Sequence, residues 1–143
     1  MKRIPAIKSV MTAFPYSIDI DAPIEEAIEF MRRESIRHLP VTENGDLKGL
    51  VTDRDIKLVL GPDFAYPEPE ELSVRDVLTT DTYVVDLSTP LDVVLEHMAT
   101  HRLGSALVTR KGRLAGVFTT TDACRAFADR LADERRSSEN DAA

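Results

Sequence analysis

The chain has 143 residues, 43% of them hydrophobic and 30% charged, with 18 basic and 25 acidic side chains and a net charge of -7. This is enough chain for one compact domain, or for two small halves sharing a core. The acidity excludes bulk nucleic-acid binding, the lone Cys124 excludes an internal disulfide or a cysteine-rich zinc site, and no apolar run reaches the roughly 20 residues of a membrane-spanning helix.

The start, Met1-Lys2-Arg3-Ile4-Pro5, carries charge with no apolar stretch behind it, unlike a signal peptide. A cytoplasmic protein without membrane insertion is therefore expected. A short strand is predicted over Tyr16–Ile20. Pro23 then suits the first turn of a helix, and Ile24, Ala27, Ile28 and Met31 follow at i, i+3, i+4 and i+7, the stripe of an amphipathic helix. A hairpin comes next: Leu39 to Thr42, a turn at Asn44-Gly45, and Leu47 to Val51. A second helix starts near Thr52 and carries Ile56, Val59 and Leu60. Residues 61–72 are rich in proline and acid and read as a linker.

The same order then recurs. Residues 9–57 lie over 76–124 at a constant offset of 67 without a gap, and 14 of the 49 positions are identical; chance gives about three. Thr12, Tyr16, Pro23, Met31, Gly49, Thr52 and Asp55 are among the residues that recur. The second copy predicts a strand at Tyr83–Leu87, a helix behind Pro90 with Leu91, Val94, Leu95 and Met98 on one face, and a hairpin turning at Lys111-Gly112. Its last helix starts near Thr119. Each copy reads β-α-β-β-α. Three strands with helices on one side leave an apolar sheet face bare, and two copies packed about a pseudo-twofold axis hide it. The expected fold is thus α+β, with one repeat over 5–60, the linker at 61–72, a second repeat over 73–132 and a disordered tail over 133–143.

The charge is unevenly spread. Residues 1–60 carry a net of -1, residues 61–72 a net of -4, residues 73–132 none, and the tail a net of -2. The two repeats are nearly neutral, so either can still present local positive groups to an anion.

The Arg37-His38-Leu39-Pro40-Val41 strand and the Gly49-Leu50-Val51-Thr52-Asp53-Arg54-Asp55 turn, with Gly116-Val117-Phe118-Thr119-Thr120-Thr121-Asp122 in the second copy, resemble a cystathionine-β-synthase (CBS) domain. The resemblance covers about residues 5–130 and implies a CBS pair, two domains packed sheet to sheet that commonly dimerise into a disc. It also implies adenosine-containing ligands (AMP, ADP, ATP, sometimes S-adenosylmethionine or dinucleotides) in the clefts between repeats, and a role as sensor for a partner protein. In the family's pattern the carboxylate accepts hydrogen bonds from the ribose hydroxyls, which falls here to Asp55 and Asp122. Thr52 and Thr119 would meet phosphate or ribose. Backbone groups of an extended strand can read the adenine edge, which makes Ile18, Leu39 and Pro40 candidate contacts, and Arg37, His38 and Arg54 are candidate partners of the phosphate.

Read without a ligand, Thr52 and Thr119 are helix N-caps and Asp55 and Asp122 first-turn acids that complement the helix dipole. The two readings are compatible. The two clefts are expected to differ, because the first copy carries Arg37, His38, Arg54 and Lys57 where the second has Gly104, Ser105, Thr121 and Cys124. Which basic group faces which cleft stays open at this level. His97 and His101 stand four apart on a helix without a third metal ligand nearby, and no metal is expected. Cys124 is expected to be a buried or half-buried structural thiol. Neither a Ser-His-Asp or Cys-His arrangement nor a glycine-rich phosphate loop occurs, so no enzymatic activity is expected.

The expected function is that of a regulatory module that binds an adenine nucleotide and modulates an unidentified partner as a homodimer. No cofactor is required beyond that regulatory ligand. The alternative is a ligand-free dimerisation and interaction module, with an S-adenosylmethionine or dinucleotide sensor behind it. Head-to-head and head-to-tail dimers are equally compatible with the sequence.

Overall fold

The computed structural model describes residues 3–13, 15–63 and 72–142. The linker at 61–72 therefore lies mostly outside the described residues. In chain order the elements are β1 (Thr12–Ala13), β2 (Ile18–Asp19), α1 (Ile24–Glu34), β3 (His38–Glu43), β4 (Asp46–Thr52) and α2 (Asp53–Leu60). The second half repeats them as β5 (Val84–Asp86), α3 (Leu91–His101), β6 (Ser105–Arg110), β7 (Arg113–Thr119) and α4 (Thr120–Ala142). Single 3-10 turns at Ile7–Ser9 and Val74–Asp76 open the two halves.

Local chemistry accounts for the recurrence. Both hairpins turn through two residues of positive φ, Asn44-Gly45 at 53° and 85° and Lys111-Gly112 at 53° and 79°. That is the turn whose twist matches paired strands. Both carry a bulge at the same place, Val41/Thr42 and Val108/Thr109. Helices α1 and α3 start behind Pro23 and Pro90 and end on left-handed residues, Ser35 and Arg102. Their buried stripes are Ile24, Ala27 and Met31 in α1 and Leu91, Val94 and Met98 in α3.

The strands order as β2-β3-β4 in one sheet and β1-β7-β6-β5 in the other. The edge strands are exchanged. Thr12 and Ala13 of the first repeat pair with Val117 and Gly116 of the second, while Thr79 bridges to Leu50 of the first. The turns before them are exchanged too. Ile7 is fully buried in the core of the second repeat beside Val85, Val94 and Phe118, and Val74 is buried in that of the first beside Ile24, Val41 and Ile56. A third cluster, Leu50, Leu107 and Val117, joins the two sheets. This is the expected packing about a pseudo-twofold axis, with one addition: the opening segment of each repeat completes the other.

Three local expectations are corrected. Strands β2 and β5 are shorter than the predicted Tyr16–Ile20 and Tyr83–Leu87. Residues 133–142, expected to be disordered, continue α4. No glycine or proline interrupts the chain after Gly116, and ion pairs between Arg130 and Glu134 and between Asp133 and Arg136 lie at helical spacing. Cys124 is exposed instead of buried, because α4 turns that face outward.

Candidate functional site

Two clefts open between the repeats at the starts of α2 and α4. At the second, the strand-to-helix turn closes as a capping arrangement. The Thr119 amide donates to Asp122 Oδ2 at 2.9 Å, and the Asp122 amide approaches Thr119 Oγ1 at 3.5 Å. At the first, Thr52 and Asp55 form a full capping box. The Asp55 amide donates to Thr52 Oγ1 at 3.0 Å, and the Thr52 amide donates to Asp55 Oδ2 at 3.3 Å. Each carboxylate also holds the exchanged strand of the other repeat, Asp122 from Thr12 and Asp55 from Thr79. The capping reading of these four residues thus describes their geometry. A carboxylate has about four acceptor positions, so a ligand hydroxyl can be taken in addition.

The larger cleft has a volume of about 780 Å³ and is lined by Tyr16, Arg37, His38 and Pro40 from the first repeat and by Thr119 and Asp122 from the second. Thr12, Ser35, Thr120 and Thr121 add hydroxyls to its wall. The smaller cleft, about 220 Å³, pairs Thr52 and Asp55 with Asp81, Tyr83, Gly104 and Ser105, and His38 reaches it as well. The sites therefore cross over. Arg37 and His38 share a cleft with Asp122, although they lie next to Asp55's motif in the sequence.

Of the other residues singled out, Pro40 lines the larger cleft. Ile18 and Leu39 are buried in the first core, at 5% and 0% exposure. Arg54 points from the first turn of α2 to solvent and lines neither cleft. Lys57 pairs with Asp53 at 2.8 Å and borders a separate hollow of about 380 Å³ between α1 and α2, with Arg32 and Arg37. That hollow carries no paired hydroxyl and carboxylate of the repeated motif. His97 and His101 stack on each other at 4.1 Å, and His97 stacks on Tyr83 at the same separation. His101 Nδ1 lies 3.0 Å from the His97 carbonyl oxygen.

Tyr16 and Thr12 are wall residues that motif reasoning passed over. Both recur at the offset of 67, as Tyr83 and Thr79, and that recurrence was the available signal. Tyr16 is 54% exposed, held edge-on against Phe30 at 5.1 Å, and so presents an aromatic surface at the cleft.

The electrostatics of the clefts are unequal. The larger has Arg37 against the single carboxylate of Asp122, whereas the smaller has Asp55 and Asp81 and no Arg or Lys. Burial, and next the nearby Arg37 charge, hold His38 below the usual imidazole range, opposed by Asp55. The neutral imidazole of His38 is thereby favoured, which leaves Arg37 as the cation of the larger cleft.

Two β-α-β-β-α units joined by exchanged edges, with a Thr/Asp helix start facing each inter-repeat cleft, define a tandem pair of repeats. The sequence profile of the CBS domain matches residues 7–61 and 74–129, and the chain belongs to the CBS domain family. It is similar to the uncharacterized protein YlbB of Bacillus subtilis, 34% identical over 119 residues that span 81% of this chain and 78% of that protein. It is also similar to an inosine-5′-monophosphate dehydrogenase of Methanocaldococcus jannaschii, 33% identical over 118 residues, 81% of this chain but 21% of the enzyme. Among solved structures, the CBS domain pair of protein MJ0100, in complex with 5′-methylthioadenosine and S-adenosyl-L-methionine, shares the fold. Its TM-score is 0.76 at 22% identity, covering 90% of this chain and 99% of that one. Among the described residues no helix is long and apolar enough to cross a membrane.

Proposed function

We propose that this CBS pair is a regulatory module that binds an adenine nucleotide, AMP in the first instance, in the larger cleft. The carrying observation is the meeting of Arg37 with Asp122 across the repeats in a space of about 780 Å³, within the roughly 300–1,000 Å³ of small-molecule sites. Asp122 takes the ribose hydroxyls, Thr119 and Arg37 the phosphate, and Tyr16 and Pro40 flank the base. Thr52 and Asp55 are the matching pair of the smaller cleft, and Arg54 has no part in the site. A single guanidinium favours a monophosphate over a triphosphate. The adenosyl ligands of MJ0100 support the ligand class. They also keep S-adenosylmethionine as the second reading.

The module modulates a partner protein and has no catalytic role of its own. The dehydrogenase relative supports the second point, since the matched region is 21% of that enzyme. Exposed apolar residues support self-association as a homodimer through the helices: Leu58 on α2 at 75% exposure, and Phe127 on α4 at 64%. The composition, with one cysteine, suits a cytoplasmic setting. Regulation follows if AMP binds two arrangements of the pair with different affinity.

Thermal denaturation with AMP, ADP, ATP, NAD and S-adenosylmethionine tests the ligand. Saturation at 100-fold above Kd adds about 2.7 kcal/mol, a rise of about 5–10 °C for a domain of this size. AMP should give the largest rise, lost in Asp122→Ala. If none of the five raises the melting temperature while light scattering shows a dimer, the ligand-free interaction module replaces this reading.

A further inference from the structure

The two clefts are related position by position, and their volumes run against their side chains. The smaller cleft has Gly104 and Ser105 where the larger has Arg37 and His38, so on side-chain bulk alone it should be the roomier. It measures about 220 Å³ against about 780 Å³. The group that crosses between them is His38. It stands on β3 at the wall common to both, and its Nε2 lies 3.6 Å from the position a β-carbon on Gly104 would take. Gly104, lacking a side chain, leaves the room that the imidazole uses. At the related point of the larger cleft, Ser105 is too short to do the same. Leu107 in place of Pro40 and Leu50 in place of Val117 add bulk to the smaller cleft, but Leu50, Leu107 and Val117 all belong to the cluster joining the sheets.

We infer that His38 closes the smaller cleft, so that one chain takes one adenosine-type ligand, in the larger cleft, and that this residue sets the stoichiometry. The inference rests on the adenine-nucleotide reading above. The smaller cleft keeps the elements for a nucleoside, Asp55 for a diol and Tyr83 as an aromatic wall, but Asp55 and Asp81 without Arg or Lys repel a phosphate. Removal of the imidazole thus opens a second site for a nucleoside without phosphate.

The test uses titration calorimetry on the full chain. AMP should bind wild type at one per chain, and adenosine added to the AMP-saturated protein should give no further heat. His38→Ala and His38→Ser, the latter supplying the residue found at position 105, also alter the wall of the larger cleft, so each is first saturated with AMP at its own affinity and should then take up one adenosine per chain. Circular dichroism melting confirms that both variants fold, and serine at the related position makes the second the safer substitution. Two AMP per wild-type chain, adenosine uptake by AMP-saturated wild type, or none by either AMP-saturated variant overturns the inference. Absence of AMP binding by wild type instead overturns the nucleotide reading and, with it, this one.

Discussion

The Thr12 hydroxyl donates to Asp122 Oδ1 at 3.3 Å, tying the opening strand of one repeat to the helix start of the other. Thr79 and Asp55 repeat the bond at the same 3.3 Å. A residue proposed to hold ribose is therefore also a cap and an inter-repeat tie. Asp122→Ala should cost about 1–3 kcal/mol of stability in urea unfolding as well as AMP binding. Asp122→Asn can still cap and accept, so it should stay within about 1 kcal/mol of wild type. It should nonetheless weaken AMP about tenfold or more, because the ribose loses a charged acceptor. Unchanged AMP affinity in Asp122→Asn would remove Asp122 from the ribose role.

The strand exchange leans on two glycines. A β-carbon on Gly49 would sit 2.8 Å from a methyl of Leu78 and closer still to the Thr79 carbonyl oxygen, and one on Gly116 would meet Met11 and the Thr12 carbonyl oxygen. Rigid backbone is the obstacle, so Gly49→Ala should destabilise by about 1–3 kcal/mol, as overpacking does. The Thr79 and Leu50 amides, which bond each other's carbonyls at 2.8 and 3.0 Å, should lose hydrogen-exchange protection selectively. Full protection at both amides would show that the crossing strand does not depend on Gly49.

Positive φ is occupied by residues that bear its cost, Ser35, Arg102 and Lys111 among them. Lys111 at 53° opens a turn whose first-repeat counterpart uses Asn44, and Arg102 at 55° ends α3. Lys111→Asn and Arg102→Gly should each stabilise, by about 0.5–1 kcal/mol. The gain at Arg102 is reduced by a few tenths through the lost cation at the helix end. Chemical denaturation midpoints at constant slope measure both. A fall in either midpoint would contradict the strain argument.

His38 also makes stability depend on pH. Its folded value lies below the usual one through burial and Arg37, with Asp55 opposing. The unfolded chain therefore takes up the proton first, near an ordinary pKa of about 6.5. The contribution is fully present above that pH and is lost as pH falls through the folded value. Wild type should lose more stability than His38→Gln between about pH 7.5 and pH 5. Parallel urea-unfolding curves for the two proteins across this range would show that the imidazole is not held in a desolvating site.

Much of the molecule was legible beforehand, where the signal is local. The stripes of α1 and α3, the Asn44-Gly45 turn and its Lys111-Gly112 twin, and the Thr/Asp starts of α2 and α4 each depend on a few neighbouring residues, and the repeat showed each twice. Ile18 and Leu39 are candidates for the adenine through their backbone groups, and that their side chains lie in the first core was not legible, because alternation along a strand does not say which face meets solvent and which the core. Tyr16 and Thr12 were visible only as recurring identities. Their place in the cleft depends on the crossing of β1, which leaves no mark on local composition. The helical tail was misjudged because polar composition resembles disorder until its ion pairs are placed on successive turns.

The sequence by itself determined the duplication, the order of elements in each copy, the family and the chemistry on offer, since these follow from spacing and side-chain type. The tertiary structure alone decided the partnership of the site. Arg37 joins Asp122 across the repeats, His38 stands at the wall of both clefts, and Asp55, their neighbour in sequence, shares the smaller cleft with Gly104. The reason is geometric. Each cleft forms where the strand of one repeat meets the helix start of the other, and the exchanged edges fix that meeting, Thr12 with Asp122 across 110 residues at the larger cleft and Thr79 with Asp55 across 24 at the smaller.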